Sequence, residues 1–308
     1  MLRQSLGGSG IKCRRGVTLA EVVIVTLIVT FGLLLLLARM PRGREDSRAL
    51  TCRANLSQIG HAIAYYAQAN GHFPIINTWG TGDAGRETSA LWHTRAALDI
   101  KDFASVAAEL KAKKPGGTAM PLPPVPRGLR CPSDRQLTPL TASNYRSNAG
   151  NDIQGSNGPF AIGRGASPKL VEAADGLGFT AAFAERMIGN GESVEKAVNY
   201  VSETDCESLS RLLKSGGTSK GPWLGDAGHD WTRGDWSQTL YQHGLPPNAR
   251  LSAVADAGRC GAMGASSAHP GQVHVLLLDG SAKPWRDTVD ATVWSRLGSF
   301  TDGTAKGP

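Results

Sequence analysis

Val17 to Ala38 (VTLAEVVIVTLIVTFGLLLLLA) is a run of 22 residues with one charge, Glu21, and it limits what this chain can be. At about 1.5 Å per residue a helix of this length reaches about 33 Å, enough to cross a hydrocarbon core of about 30 Å. A cleaved secretory signal needs a shorter apolar run followed by a small-residue site. Here the run closes on Ala38-Arg39-Met40-Pro41. A lipoprotein signal places its cysteine after the run, whereas Cys13 precedes it, beside Lys12. An ordinary anchor accounts for the length but not for Glu21, because a carboxylate at that depth costs roughly 2.5–3.5 kcal/mol unless something pairs with it.

The charge balance points the same way. The net charge is +7, yet residues 1–16 contribute Arg3, Lys12, Arg14 and Arg15 and no acid, so their removal leaves +3. The basic excess is a targeting feature, and no basic, aromatic-interleaved patch argues for nucleic acid. Of the five cysteines, Cys13 lies in the leader, and Cys52, Cys131, Cys206 and Cys260 remain. An even number is compatible with disulfides outside the cytoplasm, and four cysteines allow three pairings among which the sequence does not choose. Free buried thiols are the alternative. No CxxC or Cys/His zinc spacing occurs, so no metal and no cofactor is expected.

Arg14-Arg15-Gly16 followed by Val17-Thr18-Leu19-Ala20-Glu21 resembles the prepilin signature of type IV pilins and type II secretion pseudopilins. The likeness covers a basic leader, a glycine, an apolar first residue, Thr-Leu, and Glu at the fifth mature position; Val17 stands where that family usually has Phe. The resemblance implies cleavage after Gly16 and methylation of the new amino terminus by a membrane prepilin peptidase/methyltransferase. Cleavage frees a positive amino group at Val17, and Glu21 in the first helical turn is favoured by the helix dipole and can pair with an amino terminus, its own or a neighbour's. Arg39, Arg42, Arg44, Arg48 and Arg53 follow the span, so charge counting does not orient it. The resemblance does, with the amino terminus cytoplasmic and the bulk of the chain extracytoplasmic.

Beyond Pro41, residues 44–70 read as a continuing amphipathic helix. Leu56, Ile59, Ile63 and Tyr66 follow one buried stripe, Gly71 supplies the stop and Pro74 follows. Cys52 to Pro74 resembles the matching segment of pseudopilins, whose first helix packs on an antiparallel sheet. Leu91 to Lys114 suggests one or two more helices, and the proline-rich run 114–127 a surface loop.

From Cys131 on, short elements resemble a family of pilin-like proteins of unknown function. They are Cys131-Pro132-Ser133-Asp134, Asn144-Tyr145 with Asn148-Ala149-Gly150, Asn157-Gly158-Pro159-Phe160, Asp175-Gly176 with Ala184-Glu185-Arg186, Leu245-Pro246-Pro247-Asn248, and His269-Pro270-Gly271 with Asp279-Gly280, nine residues lying between His269 and Asp279. Gln272 to Leu278 reads as a strand covered on both faces, Asp279-Gly280 as a two-residue type I′ turn, and 281–287 as a return strand that Pro284 confines to an edge. His269 and Asp279 are therefore read as structural rather than as a ligand pair. Glu185-Arg186 reads as a strand-end ion pair, and Trp223, Trp231 and Trp236 as either a sticky surface loop or ordinary packing.

These readings combine into an α+β chain with a long amino-terminal helix on an antiparallel sheet and a loop-rich carboxy-terminal region. The expected segments are a leader 1–16, a span 17–38, an amphipathic continuation 39–72, and a globular domain 73–308 with a variable insert about 209–241. The expected role is a non-enzymatic pilin-like subunit in the inner membrane. Its partners would be the peptidase, lipid, and itself or other pilin-like subunits. A membrane-tethered binding module is the alternative. A membrane-anchored hydrolase is disfavoured because no nucleophile and base stand in a recognised motif.

Overall fold

A computed structural model describes residues 16–76, 88–98, 124–135, 139–163, 166–216, 219, 221–255 and 258–300, without the side chains of 34–42 and 173. The chain divides into two compact units, Met1–Asp46 and Ser47–Pro308. The expected leader up to Arg15, most of the expected helices in 91–114 and most of the proline-rich run lie outside the described residues.

Helix α1 (Leu19–Asn70) gives its first part to the first unit and the part from Ser47 to the second. In the first unit it opens on a reciprocal cap. Thr18 Oγ1 accepts from the Glu21 amide at 3.3 Å, while Glu21 Oε2 accepts from the Thr18 amide at 2.8 Å and from its hydroxyl at 2.9 Å. This is the T-x-x-E capping box, which satisfies amides that the first helical turn leaves without partners. Leu19 is 85% exposed and Phe31 65%. Among the described residues no helix is long and apolar enough to cross a membrane, and the expected span Val17–Ala38 runs past Leu33 into side chains outside the described set.

In the second unit the expected stripe of α1 is buried at Leu56, Ile59 and Ile63, with Tyr66 half-buried. Gly71 ends the helix with φ 78°, its amide donating to Ala67 O. The stripe packs into a core with Phe73, Tyr145, Phe160, Phe183 and Leu276. Helix α2 (Ala90–Thr94) is capped by Ser89.

The first sheet has the order β5-β1-β2-β8-β9, from β1 (Tyr145–Asn148), β2 (Ala181–Glu185), β5 (Leu240–Tyr241), β8 (Gln272–Leu277) and β9 (Ala282–Arg286). The second has the order β4-β3-β6-β7, from β3 (Tyr200–Glu203), β4 (Trp223–Leu224), β6 (Ala253–Ala255) and β7 (Cys260–Ala262). The expected single antiparallel sheet is thus corrected to two mixed ones: β5 runs parallel to β1 and β6 parallel to β3. Parallel neighbours need long crossovers, and each of these pairs is separated by dozens of residues.

Helix α3 (Pro168–Ala174) starts on Ser167. Helix α4 (Cys206–Ser215) covers the second sheet through Leu209 and Leu212 and is tied to β7 by the Cys206–Cys260 disulfide. Helix α5 (Ala291–Gly298) covers the second face of the first sheet, with Trp294 and Leu297 against Val273, Val275 and Leu277. Strand β8 is therefore enclosed on both sides, as its near-continuous apolar sequence requires. The segment 209–241 takes part in both sheets. It supplies an edge strand to each sheet, Trp231 and Trp236 are fully buried, and only Trp223 is half-buried.

The hairpin falls at the expected residues with a different turn. The Gly280 amide donates to Leu277 O and the Leu277 amide to Ser281 O. Among the described residues of this turn only Gly280, at φ 86°, is left-handed. That is a three-residue loop, a type I turn closed by a left-handed glycine, rather than type I′. Asp279 Oδ1 accepts from the Ser281 amide and hydroxyl, which holds Asp279 in ordinary right-handed space. Strand β9 with Pro284 lies at the sheet edge.

Candidate functional site

Side chains alternate along a strand, so Phe183 and Glu185 of β2 share the face that packs on α1, and so do His274 and Leu276 of β8. Glu185 ends an otherwise apolar strand and is 2% exposed. Its Oε2 accepts from the His274 amide at 2.9 Å and faces His274 Nδ1 at 3.0 Å. Its Oε1 takes no hydrogen bond and lies 3.3 Å from His269 Nε2. The two imidazoles meet edge to face with centroids 4.7 Å apart. Burial pushes the Glu185 carboxyl upward, and the two histidines more than reverse this, holding it at about 2.

Cys52 on α1 and Cys131 form a disulfide, with Cα atoms 5.5 Å apart. Cys131 Sγ lies 3.5 Å from His269 Nε2. Tyr145, directly opposite Glu185 in the β1–β2 ladder, accepts from Asn55 Nδ2 and donates to Cys52 O. Burial and then the Glu185 charge push the Tyr145 hydroxyl far above its usual range.

The short sequence elements interlock around this cluster. Asn144 Oδ1 accepts from the Cys131 amide, and Asn144 Nδ2 donates to Asp134 Oδ2 and to Arg186 O. Asp134 Oδ2 also accepts from the Ile188 amide, so the Cys-Pro-Ser-Asp loop closes on the end of β2. Asn248, left-handed at φ 57°, receives the Ser267 amide on Oδ1 and so steadies the loop that carries His269. Gly158 must be glycine because a Cβ there would lie 2.3 Å from the Ala149 backbone.

The expected Glu185–Arg186 pair does not form, because successive residues point to opposite faces of the sheet. Arg186 Nη1 donates to Gly264 O instead, and burial lowers its guanidinium to about 10. His269 contacts Glu185 and Cys131, whereas Asp279 and Gly280 build the hairpin turn. Sequence spacing gives Glu185 only the ion pair with Arg186 and gives His274 no role; the signal for their partnership is an acid closing the apolar strand Ala181–Ala184 and a histidine inside another. Cys52 pairs with Cys131 and Cys206 with Cys260. In the first unit Gly16 and Val17 are exposed, and Glu21 sits in the cap described above.

No curated protein and no solved structure matches the chain. Gly16, Val17 and Glu21 precede the residues that the family match covers. Residues 41–292 match the family described as "Protein of unknown function (DUF1559)", and the chain, with most of its length inside that match and every interlocking element of the buried cluster within it, belongs to this family.

Proposed function

We propose that the chain is a non-enzymatic, pilin-like structural subunit. Prepilin peptidase cuts it after Gly16 and methylates Val17, the apolar segment 17–38 holds it in the inner membrane with the amino terminus cytoplasmic, and the globular unit stands outside. The observation that carries this reading is a run of exposed apolar side chains from Val17 to Leu33, directly behind Arg14-Arg15-Gly16, with Glu21 as its only charge. Such a surface calls for lipid or a second copy to cover it. Two disulfides suit an oxidising compartment. A structural role is also favoured by the buried cluster, where the cavity beside Glu185 leaves no room for a water-sized molecule. Mass spectrometry of the protein from cells with a working prepilin peptidase is expected to give an amino terminus at methylated Val17. Retention of residues 1–16 would overturn the reading.

The capping box favours a second reading, a tethered binding module that does not polymerise, because Glu21 already has a local partner in Thr18. Glutamine also completes a capping box, so the two roles separate. If Glu21 sets register between copies, Glu21→Gln abolishes shearable filaments while leaving the anchored monomer folded. If Glu21 only caps the helix, Glu21→Gln behaves as wild type.

A further inference from the structure

Four ligand atoms from four separate segments converge in the second unit: Sγ of Cys52 and Cys131, a carboxylate oxygen of Glu185 and a ring nitrogen of His269. All lie within 4.8 Å of one another and all four residues are buried. We propose that, with Cys52 and Cys131 reduced, this cluster is a tetrahedral site for a soft divalent cation of the zinc type, and that the disulfide and the metal site are two alternative states of one pocket.

Geometry supports the donor set. A tetrahedral ion held at about 2.3 Å by sulfur and about 2.0–2.1 Å by nitrogen or oxygen places its sulfur and nitrogen ligands about 3.5 Å apart and its nitrogen and oxygen ligands about 3.3 Å apart. Cys131 Sγ and His269 Nε2 are 3.5 Å apart, and His269 Nε2 and Glu185 Oε1 are 3.3 Å apart. The Glu185 carboxylate is divided as a ligand would be. Oε2 is held by the amide and ring of His274, while the buried Oε1 takes no hydrogen bond and lies 3.3 Å from His269 Nε2. His274 is then the outer partner that orients the ligating carboxylate, and Asn144, accepting from the Cys131 amide, steadies a second ligand. Two thiolates, a carboxylate and a neutral imidazole are a donor set that zinc accepts and that magnesium or calcium does not favour.

The exchange balances as follows. An external dithiol gives two electrons and two protons to the Cys52–Cys131 bond and leaves as its own disulfide. The two thiols then release their protons to solvent as the cation binds both sulfurs.

The test uses the full chain, produced in a reducing cytoplasm, solubilised in detergent and kept anaerobic with a phosphine reductant, with Zn2+ as the probe. The reduced chain is expected to retain one zinc per molecule after desalting. Its X-ray absorption should show two sulfur neighbours at about 2.3 Å and two lighter ones at about 2.0–2.2 Å. The same chain oxidised to the disulfide should retain none. Glu185→Gln and His274→Gln should each weaken zinc binding by about 10–100-fold in competition with a chromophoric chelator. A reduced chain that retains no zinc, whether folded or not, overturns the proposal, and so does retained zinc with a shell lacking two sulfurs or with affinity unmoved by Glu185→Gln.

Discussion

Glu185 shows how one buried charge is made tolerable. A carboxylate removed from water is costly, and here three contacts to His274 and His269 offset that cost. Its folded pKa of about 2 lies below the ordinary carboxylate value of 4.5. The stabilisation is therefore complete above about pH 4.5 and is lost as pH falls towards about 2. In the disulfide form, a shift of this size corresponds to stabilisation on the order of 3 kcal/mol. Glu185→Gln keeps the shape and an acceptor for the His274 amide but removes the charge. It is expected to lower unfolding free energy at pH 7 by about 2–3 kcal/mol and to flatten the dependence between pH 4.5 and 2. Urea denaturation across that range measures both, and an unchanged acid slope in the variant would show that another group governs it.

At the scale of elements, the β8–β9 hairpin separates what can be read locally from what cannot. Gly280 is left-handed, and a Cβ built there meets nothing within 4 Å, so only backbone strain opposes substitution. Asn tolerates this conformation, as Asn248 does elsewhere in the chain, whereas a β-branched residue does not. Gly280→Asn is expected to cost at most about 0.5 kcal/mol and Gly280→Val more than about 1.5 kcal/mol by urea denaturation; equal losses would sink the turn assignment. This hairpin, the stripe Leu56-Ile59-Ile63 and the Gly71 stop were legible in the sequence because each depends on neighbours within a few residues. The parallel placement of β5 beside β1, the burial of Trp231 and Trp236, and the second sheet were not, because they depend on pairings across dozens of residues. The candidate site was half legible. His269 and Cys131 stood out in short elements, but Glu185 and His274 become partners only once β2 and β8 lie side by side.

For the second unit as a whole, the two disulfides act on different cores. Cys52–Cys131 ties α1 to the polar cluster of the first sheet, while Cys206–Cys260 ties α4 to the second sheet, whose buried residues Val201, Leu209, Ala253 and Ala262 form a cluster of their own. Closing the 54-residue separation between Cys206 and Cys260 is worth about 4 kcal/mol in the chain-entropy picture. That cluster is small, and without the cross-link α4 is held mainly by Leu209 and Leu212. Replacing both cysteines by serine should therefore open the second sheet before the first. Hydrogen exchange is expected to quicken by at least tenfold at Val201, Val254 and Gly261, while Phe183, Val275 and Leu276 keep their protection. If protection falls equally in both sheets, the unit unfolds as one cooperative body and the second sheet has no separate stability. If it falls in neither, packing of α4 alone is sufficient and the disulfide is dispensable to the fold.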